Sequence, residues 1–217
     1  MHIEPGLLNA AKVAAANISC LGTLGLYAPH FVKRPSDIAK TLLAAAFFSV
    51  FMEIYFVPVG PSELHFIGAS AVYFTFGFIP TMFGFAIGLL LQGFLFEPQD
   101  LLHLGVNALS LVVPLVATHA ALGRRFFAAQ DRREVRWASV ARFDALYYAG
   151  VVAMVGFWLA LGNEPTPLAS WARFAAAYLP LALCEPVFTI VVLRLLKRWQ
   201  ETPAIQHLTA VPRLAIA

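Results

Sequence analysis

Two adjacent residues at the start of the chain could bind a metal ion. The free amine of Met1, the backbone nitrogen of His2 and the His2 imidazole offer three nitrogen donors from two residues. Removal of an initiator methionine normally requires a small second residue, so we expect Met1 to remain in front of the large His2. Binding through a deprotonated backbone nitrogen is characteristic of square-planar Ni(II) or Cu(II), while imidazole also suits cobalt and zinc. The first two residues are therefore a candidate transition-metal chelate.

A planar site needs a fourth nitrogen, and His65 is the best candidate to supply it. His65 follows a turn-rich segment, residues 58–64, which contains two prolines and a glycine. Such residues favour a tight turn, and Ser62 is placed to cap a short helix that we expect to start near residue 64. Whether His65 reaches the amino terminus depends on the elements that carry both, and these follow from composition and charge.

The composition is that of a protein with several membrane-spanning segments. Of the 217 residues, 60% are hydrophobic and 12% are charged, and the mean hydropathy is +0.74. Soluble domains have about 25% charged residues. No remaining stretch is long enough to fold as a soluble domain and no Walker A pattern occurs, so any ATPase activity must come from another chain. The net charge of +3 comes from arginines beside apolar segments, which is typical of membrane proteins and argues against nucleic-acid binding.

Five apolar runs have the length that a membrane helix needs, which is about 17–25 residues. They are residues 7–27, 38–57, 101–122, 143–161 and 171–196. Residues 64–96 form a sixth run that is too long for one ordinary helix and is interrupted by Gly77, Pro80 and Gly84. Because proline and glycine break helices, this run could be one kinked helix or two shorter ones.

The distribution of basic residues favours two helices in this run. Three basic groups flank the apolar segments: Lys33, Arg34 and Lys40; Arg124, Arg125, Arg132, Arg133, Arg136 and Arg142; and Arg194, Lys197 and Arg198. Basic loops lie on the cytoplasmic side of membrane proteins. All three groups reach that side only if residues 64–96 cross twice, which makes seven crossings and puts His2 and His65 on the external side.

We therefore predict an all-α fold, a polytopic integral membrane helical bundle of seven transmembrane helices. One of them is a short half-helix at about residues 64–78, shielded inside the bundle because an irregular backbone is costly in lipid. Residues 1–198 form a single transmembrane metal-binding domain, and residues 199–217 form a loosely ordered cytoplasmic tail.

Four ionisable residues lie in or at the ends of the predicted spans, where charge is costly and often functional. We expect Lys12 and Asp144 to be structural, with Asp144 paired to Arg142 or a nearby arginine. Glu53 lies near the external end of its helix and could attract a cation or sit at the interface. Glu185 precedes Pro186 and could satisfy a helix break or cap a contact with a partner.

Several ordered motifs in the chain resemble the CbiM/NikM family. They are the opening Met1-His2-Ile3 with Gly6, the loop from Gly60 through His65 followed by Gly68, the run Leu89-Leu90-Leu91-Gln92-Gly93-Phe94-Leu95-Phe96, and Leu104-Gly105-Val106-Asn107-Ala108-Leu109. The resemblance extends from Met1 to about Gly123, with a weaker match near residues 179–189. Proteins of this family are the substrate-binding membrane components of energy-coupling-factor (ECF) transporters for cobalt and nickel.

This resemblance implies a transporter component and not an enzyme. It implies that Co(II) or Ni(II), as the transported substrate, is held by the Met1 amine, by His2 and by His65, with Asn107, Ser62 and Glu4 supporting these ligands. It also implies partners: a transmembrane coupling (T) subunit, two ABC ATPase subunits and, as an option, a small accessory membrane subunit. The chain would lie in a bacterial inner membrane, in contact with lipid, with its amino terminus outside; it would bind neither nucleotide nor nucleic acid.

Two other functions stay open on the residues alone. A membrane redox protein with haem would need paired histidines that face each other inside the bundle, and the histidines here are poorly spaced for that. A structural membrane protein with an incidental histidine at position 2 would show no dependence on metal.

Overall fold

A computed structural model describes residues 2–4, 6–60, 62–130 and 132–216, and of His2 it describes the backbone alone. The helices are α1 Ala10–Tyr27, α2 Pro29–Lys33, α3 Asp37–Ile54, α4 Ala69–Phe76, α5 Phe78–Leu95, α6 Leu104–Ala121, α7 Trp137–Ala160, α8 Leu168–Arg198 and α9 Pro203–Leu208. The strands are β1 His2–Ile3, β2 Phe56–Val59 and β3 Ser62–His65. Short 3-10 helices occupy Pro98–His103, Gly123–Phe126 and Val211–Arg213.

The five apolar runs predicted as spans all form helices, which are α1, α3, α6, α7 and α8. In the described part of the chain, four helical segments are long and apolar enough to cross a membrane: α5, α6 with its preceding 3-10 turn, α7 and α8. Helices α1 and α3 have 18 residues each, or about 27 Å, and α3 carries three charged residues. The seven crossings stay a prediction, whereas the helical membrane bundle is confirmed.

Large apolar side chains on the outside of the bundle fit a lipid environment. On α1, Ile18, Leu21 and Leu26 are 71%, 70% and 81% exposed, and α8 exposes Leu183 in the same way. A soluble protein rarely leaves so many large apolar groups in water. These faces are therefore the surfaces that lipid or a membrane partner would cover.

Residues 64–96 do form two helices, but the first begins later than predicted. Leu64 lies in strand β3, and α4 starts only at Ala69. The break falls at Gly77, whose φ of 92° is unfavourable for any residue with a side chain. Pro80 does not break the helix, because it lies in the first turn of α5, where its missing N–H is not needed.

Helix α4 lies in the middle of the bundle, as the half-helix prediction required. All eight of its residues are buried, and it packs against α3, α5, α7 and α8. At about 1.5 Å per residue it is only about 12 Å long, too short to span a bilayer alone. The surrounding helices shield both of its ends from lipid.

The two ends of the bundle differ in charge. At one end, Phe78 at the start of α5 contacts Tyr27 of α1 and stacks on His119 of α6, with ring centroids 5.5 and 3.8 Å apart. The tail reaches this same end, because the Ala210 N–H donates to the carbonyl of Thr75, two residues before Gly77. The tail contacts both the loop before α7, where Val135 pairs with Ile216, and the end of α8, where Lys197 Nζ donates to the Leu214 carbonyl. The three basic groups therefore share one end, as predicted, and the strands lie at the other.

The carboxyl-terminal tail is packed, which differs from the expected loose segment. Val211 and Leu214 are buried, and the Ala210 N–H donates to the carbonyl of Thr75 at the end of α4. Lys197 Nζ donates to the Leu214 carbonyl. The prolines and weak periodicity of the tail predicted loose order, but a few buried side chains and backbone hydrogen bonds anchor it.

Candidate metal centre

A small antiparallel sheet, with strand order β1-β3-β2, joins the amino terminus to His65. In it His2 lies opposite Glu63 and Ile3 lies opposite Ser62, while Phe56 lies opposite His65. The fold is mostly helical, as the all-α prediction requires, but the turn-rich segment forms a β-hairpin around Gly60, with φ of 63°, that the prediction did not include. The sheet brings residue 2 within two strand positions of residue 65.

His65 is buried and its imidazole is oriented by neighbours on both nitrogens. Nδ1 lies 3.1 Å from the carbonyl oxygen of Met52, to which an Nδ1–H can donate. Nε2 lies 3.3 Å from Oε2 of Glu63, and the ring stacks on Phe56 at 6.0 Å. Metal-binding histidines commonly donate one ring N–H to a carbonyl. In that tautomer Nε2 of His65 carries no proton and is the nitrogen that could bind a metal ion.

Glu63 lies beside the candidate ligand His65, and the sequence analysis did not identify it. Alternate residues of a strand lie on the same face, so Glu63 and His65 project together while Leu64 enters the core. Its carboxylate gives the Nε2 side of His65 a negative charge. The i, i+2 spacing could have indicated this only if the segment had been recognised as a strand.

Ile3 is held by two side chains at the start of α6. Its N–H donates to Oδ1 of Asn107 at 3.0 Å, and its carbonyl accepts a hydrogen bond from Nδ1 of His103 at 3.1 Å. All three residues are buried. Asn107 therefore binds the amino-terminal strand directly, and His103 does the same although it had no assigned role.

The segment between β1 and α1 is held by the loop that follows α7. The Asn163 N–H donates to the Leu7 carbonyl at 2.9 Å, and its side-chain amide reaches the Gly6 carbonyl at 3.4 Å. Lys12 Nζ donates to the Leu161 carbonyl at 2.6 Å, so the expected structural role of Lys12 has a partner. The chain around residues 3–12 is thus fixed at several separate points.

The remaining predicted site residues fall in different places. Ser62 does not cap a helix; it lies in β3, and its hydroxyl donates to the Val59 carbonyl at 3.2 Å. The side chain of Glu4 is exposed. Met1 and the imidazole of His2 lie outside the described residues, so their part in the metal site stays a prediction. Within the described residues, no group of three or more histidine, cysteine or acidic side chains could hold a metal ion.

A buried polar cluster lies beneath the sheet, between α4, α7 and α8. The hydroxyl of Tyr178 donates to the His65 carbonyl at 3.3 Å. Glu185 accepts the Ser70 N–H at 2.9 Å and the hydroxyl of Tyr148, and Ser70 donates its hydroxyl to Oδ2 of Asp144 at 2.9 Å. These contacts connect the backbone beside the candidate metal ligand to the interior of the bundle.

Glu185 supplies the cap that α4 lacks in its own sequence. The residue before α4 is Gly68, with φ of 63° and no side chain to accept a hydrogen bond. A carboxylate at a helix amino terminus satisfies free N–H groups and interacts favourably with the helix dipole. Helix α8 continues through Pro186, so Glu185 does not satisfy a break in its own helix; it accepts a hydrogen bond at the start of α4 instead.

Within the described part of the chain, Asp144 does not form the ion pair that the sequence predicted. Asp144 is fully buried in α7, and its expected ion pair with Arg142 or another arginine does not form among the residues described. It faces Ser70 because the helix rotates it inward, whereas Arg142 is exposed.

Glu53 has a polar neighbour on the adjacent helix: Gln92 of α5 donates its side-chain amide to Oε1 of Glu53 at 3.3 Å.

Comparison with known proteins identifies one family over most of the chain. Residues 2–202 match the family model CbiM, described as "Cobalt uptake substrate-specific transmembrane region". Comparison with curated protein sequences finds no match.

Two solved structures share the fold. A crystal structure of a transition metal transporter is 21% identical, covers 95% of this chain and 96% of its own, and has a TM-score of 0.71. A truncated transition metal transporter is 22% identical, with 91% and 99% coverage and the same TM-score. At this identity the likeness establishes the arrangement of helices and strands.

Proposed function

The chain belongs to the CbiM family of cobalt uptake transmembrane components, and on this premise we propose that it captures Co(II) or Ni(II) for an ECF-type transporter. Members of this family are transporters, so the prediction that the chain is not an enzyme is confirmed. The ECF assignment, the metal ligands and the partner subunits are the parts that belong to the proposal.

The observation that carries the proposal is the pairing of β1 with β3. It holds the backbone of His2 opposite Glu63, on the strand that ends at His65. Residues 2 and 65 are far apart in sequence, and the pairing of the His2 backbone with Glu63 supports a site that both residues share. The nitrogen donors are then the Met1 amine, the His2 backbone and imidazole nitrogens, and Nε2 of His65.

The chemistry of this donor set selects the class of metal. Four nitrogen donors with one deprotonated amide suit Ni(II) at least as well as Co(II), while hard cations such as Mg²⁺ prefer oxygen ligands. Deprotonating the amide and binding neutral imidazoles releases protons. Metal capture should therefore weaken as the pH falls, and the Glu63 carboxylate beside Nε2 favours the approach of a cation.

The transport cycle requires other chains. We propose that the amino terminus and the sheet face the outside of a bacterial inner membrane, that the basic end faces the cytoplasm, and that the chain crosses seven times. A T subunit and two ABC ATPases would then supply the energy to release the metal inward, with an accessory membrane subunit as an option. The exposed apolar faces of α1 and α8 are surfaces that such a membrane partner can cover.

The test is equilibrium binding of Ni²⁺ and Co²⁺ to the purified full chain. We compare the native protein with His2→Ala, with His65→Ala and with a chain extended by one residue at its amino terminus. The extension keeps both histidines but displaces the free amine from the chelate, so we expect all three changes to abolish tight binding. His207→Ala, in the exposed part of α9, is the control and should bind as the native chain does.

Tight binding by the extended chain would show that the terminal amine is not a ligand. A Soret band in the purified native protein would instead support the haem alternative, and an absence of metal binding would leave a structural role.

A further inference from the structure

His103 contacts the amino-terminal strand from the start of α6. It ends the 3-10 helix Pro98–His103 and immediately precedes α6. Its Nδ1 lies 3.1 Å from the carbonyl oxygen of Ile3, and the imidazole is only 3% exposed. Four residues later, one helical turn on, Asn107 takes the N–H of the same residue.

These two contacts account for both backbone hydrogen-bonding groups of Ile3. In an antiparallel pair, the N–H and carbonyl of successive residues point alternately toward and away from the partner strand. Those of Ile3 are bound by the side chains of Asn107 and His103, so they point away from β3. Since Ile3 is fully buried, water cannot replace either contact, and an unsatisfied buried group is costly.

Strand β1 has only two residues, so its pairing with β3 alone is a weak attachment. A two-residue strand forms few ladder hydrogen bonds and has little surface to bury. The Ile3 contacts with His103 and Asn107 connect it to α6, a helix of 18 residues in the core of the bundle. The imidazole thus joins the segment that carries the proposed chelate to a rigid element.

We propose that His103 is a positioning residue that closes the amino-terminal strand over the bound metal and sets how long the metal stays. This inference rests on the proposed function, because it assumes that residues 1 and 2 chelate the metal. His103 does not bind the metal: its Nδ1–H donates to the Ile3 carbonyl. Loss of this bond leaves the nitrogen donors in place but allows the strand to open, so the dissociation rate rises while the bound geometry is unchanged.

The identity of the donating nitrogen permits a sharp test. The side-chain amide of asparagine can place an N–H near the position of Nδ1, whereas the longer glutamine places it nearer to Nε2. His103→Asn should therefore restore the bond to the Ile3 carbonyl, and His103→Gln and His103→Leu should not. His207→Asn, at an exposed position of α9, is the matched control.

The measurement is release of Ni²⁺ from the purified full chain into excess chelator, together with the absorption spectrum of the saturated protein. Loss of one buried hydrogen bond corresponds to about a 5–150-fold faster release. We expect this for His103→Leu and His103→Gln, with an unchanged spectrum, and near-native release for His103→Asn and His207→Asn. Native release by His103→Leu, or equally fast release by His103→Asn, would overturn the proposal.

A second measurement separates this proposal from the proposed function. Hydrogen exchange of the Ile3 amide in the metal-free chain reports opening of the strand without any ligand. Faster exchange in His103→Leu, with recovery in His103→Asn, supports the positioning role even if the native chain binds no Ni²⁺. Equal exchange in native protein and His103→Leu refutes it, whatever the metal data show.

Discussion

The close approach of α1 and α6 gives a prediction that can be worked out from distances. A methyl group on Gly105 of α6 would lie 2.6 Å from the Cα and 2.8 Å from the backbone nitrogen of Asn17 in α1. Backbone atoms cannot rotate away as a side-chain tip can. Gly105→Ala must therefore separate the helices locally by about 0.8 Å to reach an ordinary contact of 3.4 Å.

The separation has two costs. Overpacking at a tight contact destabilises a protein by about 1–3 kcal/mol. The Gly105 N–H also donates to Oδ1 of Asn17 at 2.9 Å, and losing such a bond costs about 0.5–1.5 kcal/mol. A total of about 3 kcal/mol lowers the unfolding temperature of a chain of this size by about 6–12 °C.

The assay is thermal unfolding of the purified full chain in detergent. Gly22→Ala is the matched control, because a methyl group there meets no atom within 4 Å. This variant should unfold at or slightly above the native temperature, since alanine is favoured over glycine in helices by about 0.5–1 kcal/mol. If Gly105→Ala and Gly22→Ala both unfold at the native temperature, the helices do not meet at Gly105 and the reasoning is wrong.

Two further predictions concern the cap of α4 and the orientation of the bundle. Glu185→Leu leaves the N–H of Ser70 and the hydroxyl of Tyr148 buried without their acceptor, which should lower the free energy of unfolding by about 2–6 kcal/mol. Glu185→Gln keeps one acceptor oxygen and should lower the unfolding temperature less. Equal unfolding temperatures for the two variants would contradict the capping role. In a cysteine-free background, Arg132→Cys should react with an impermeant thiol reagent only from the cytoplasmic side and Glu164→Cys only from outside; external labelling at position 132 would contradict the seven crossings.

The positions of the long helices follow from local sequence. Runs of about 20 apolar residues predict membrane helices without any knowledge of neighbours, and five such runs form α1, α3, α6, α7 and α8. Basic residues between the runs also indicated that three segments share one end of the bundle. Both signals are local, because each depends on how a short segment partitions between water and lipid.

The sheet could not be predicted in the same way. Strand β1 has two residues and β3 has four, too few for an alternating pattern to be recognised. Their pairing joins segments about sixty residues apart, and the turn residues of the hairpin were equally compatible with a helix start. The misplaced Ser62 cap and the early start assigned to α4 are consequences of this one error.

The sequence by itself determined that this is a membrane bundle of the CbiM family and that its first two residues and His65 are candidate ligands. The tertiary structure alone decided which polar groups meet: His103 and Asn107 on Ile3, Glu63 beside His65, and Glu185 at the start of α4. The physical reason is that apolar runs and charges act locally, whereas a buried polar group must find a partner wherever the packed helices place one.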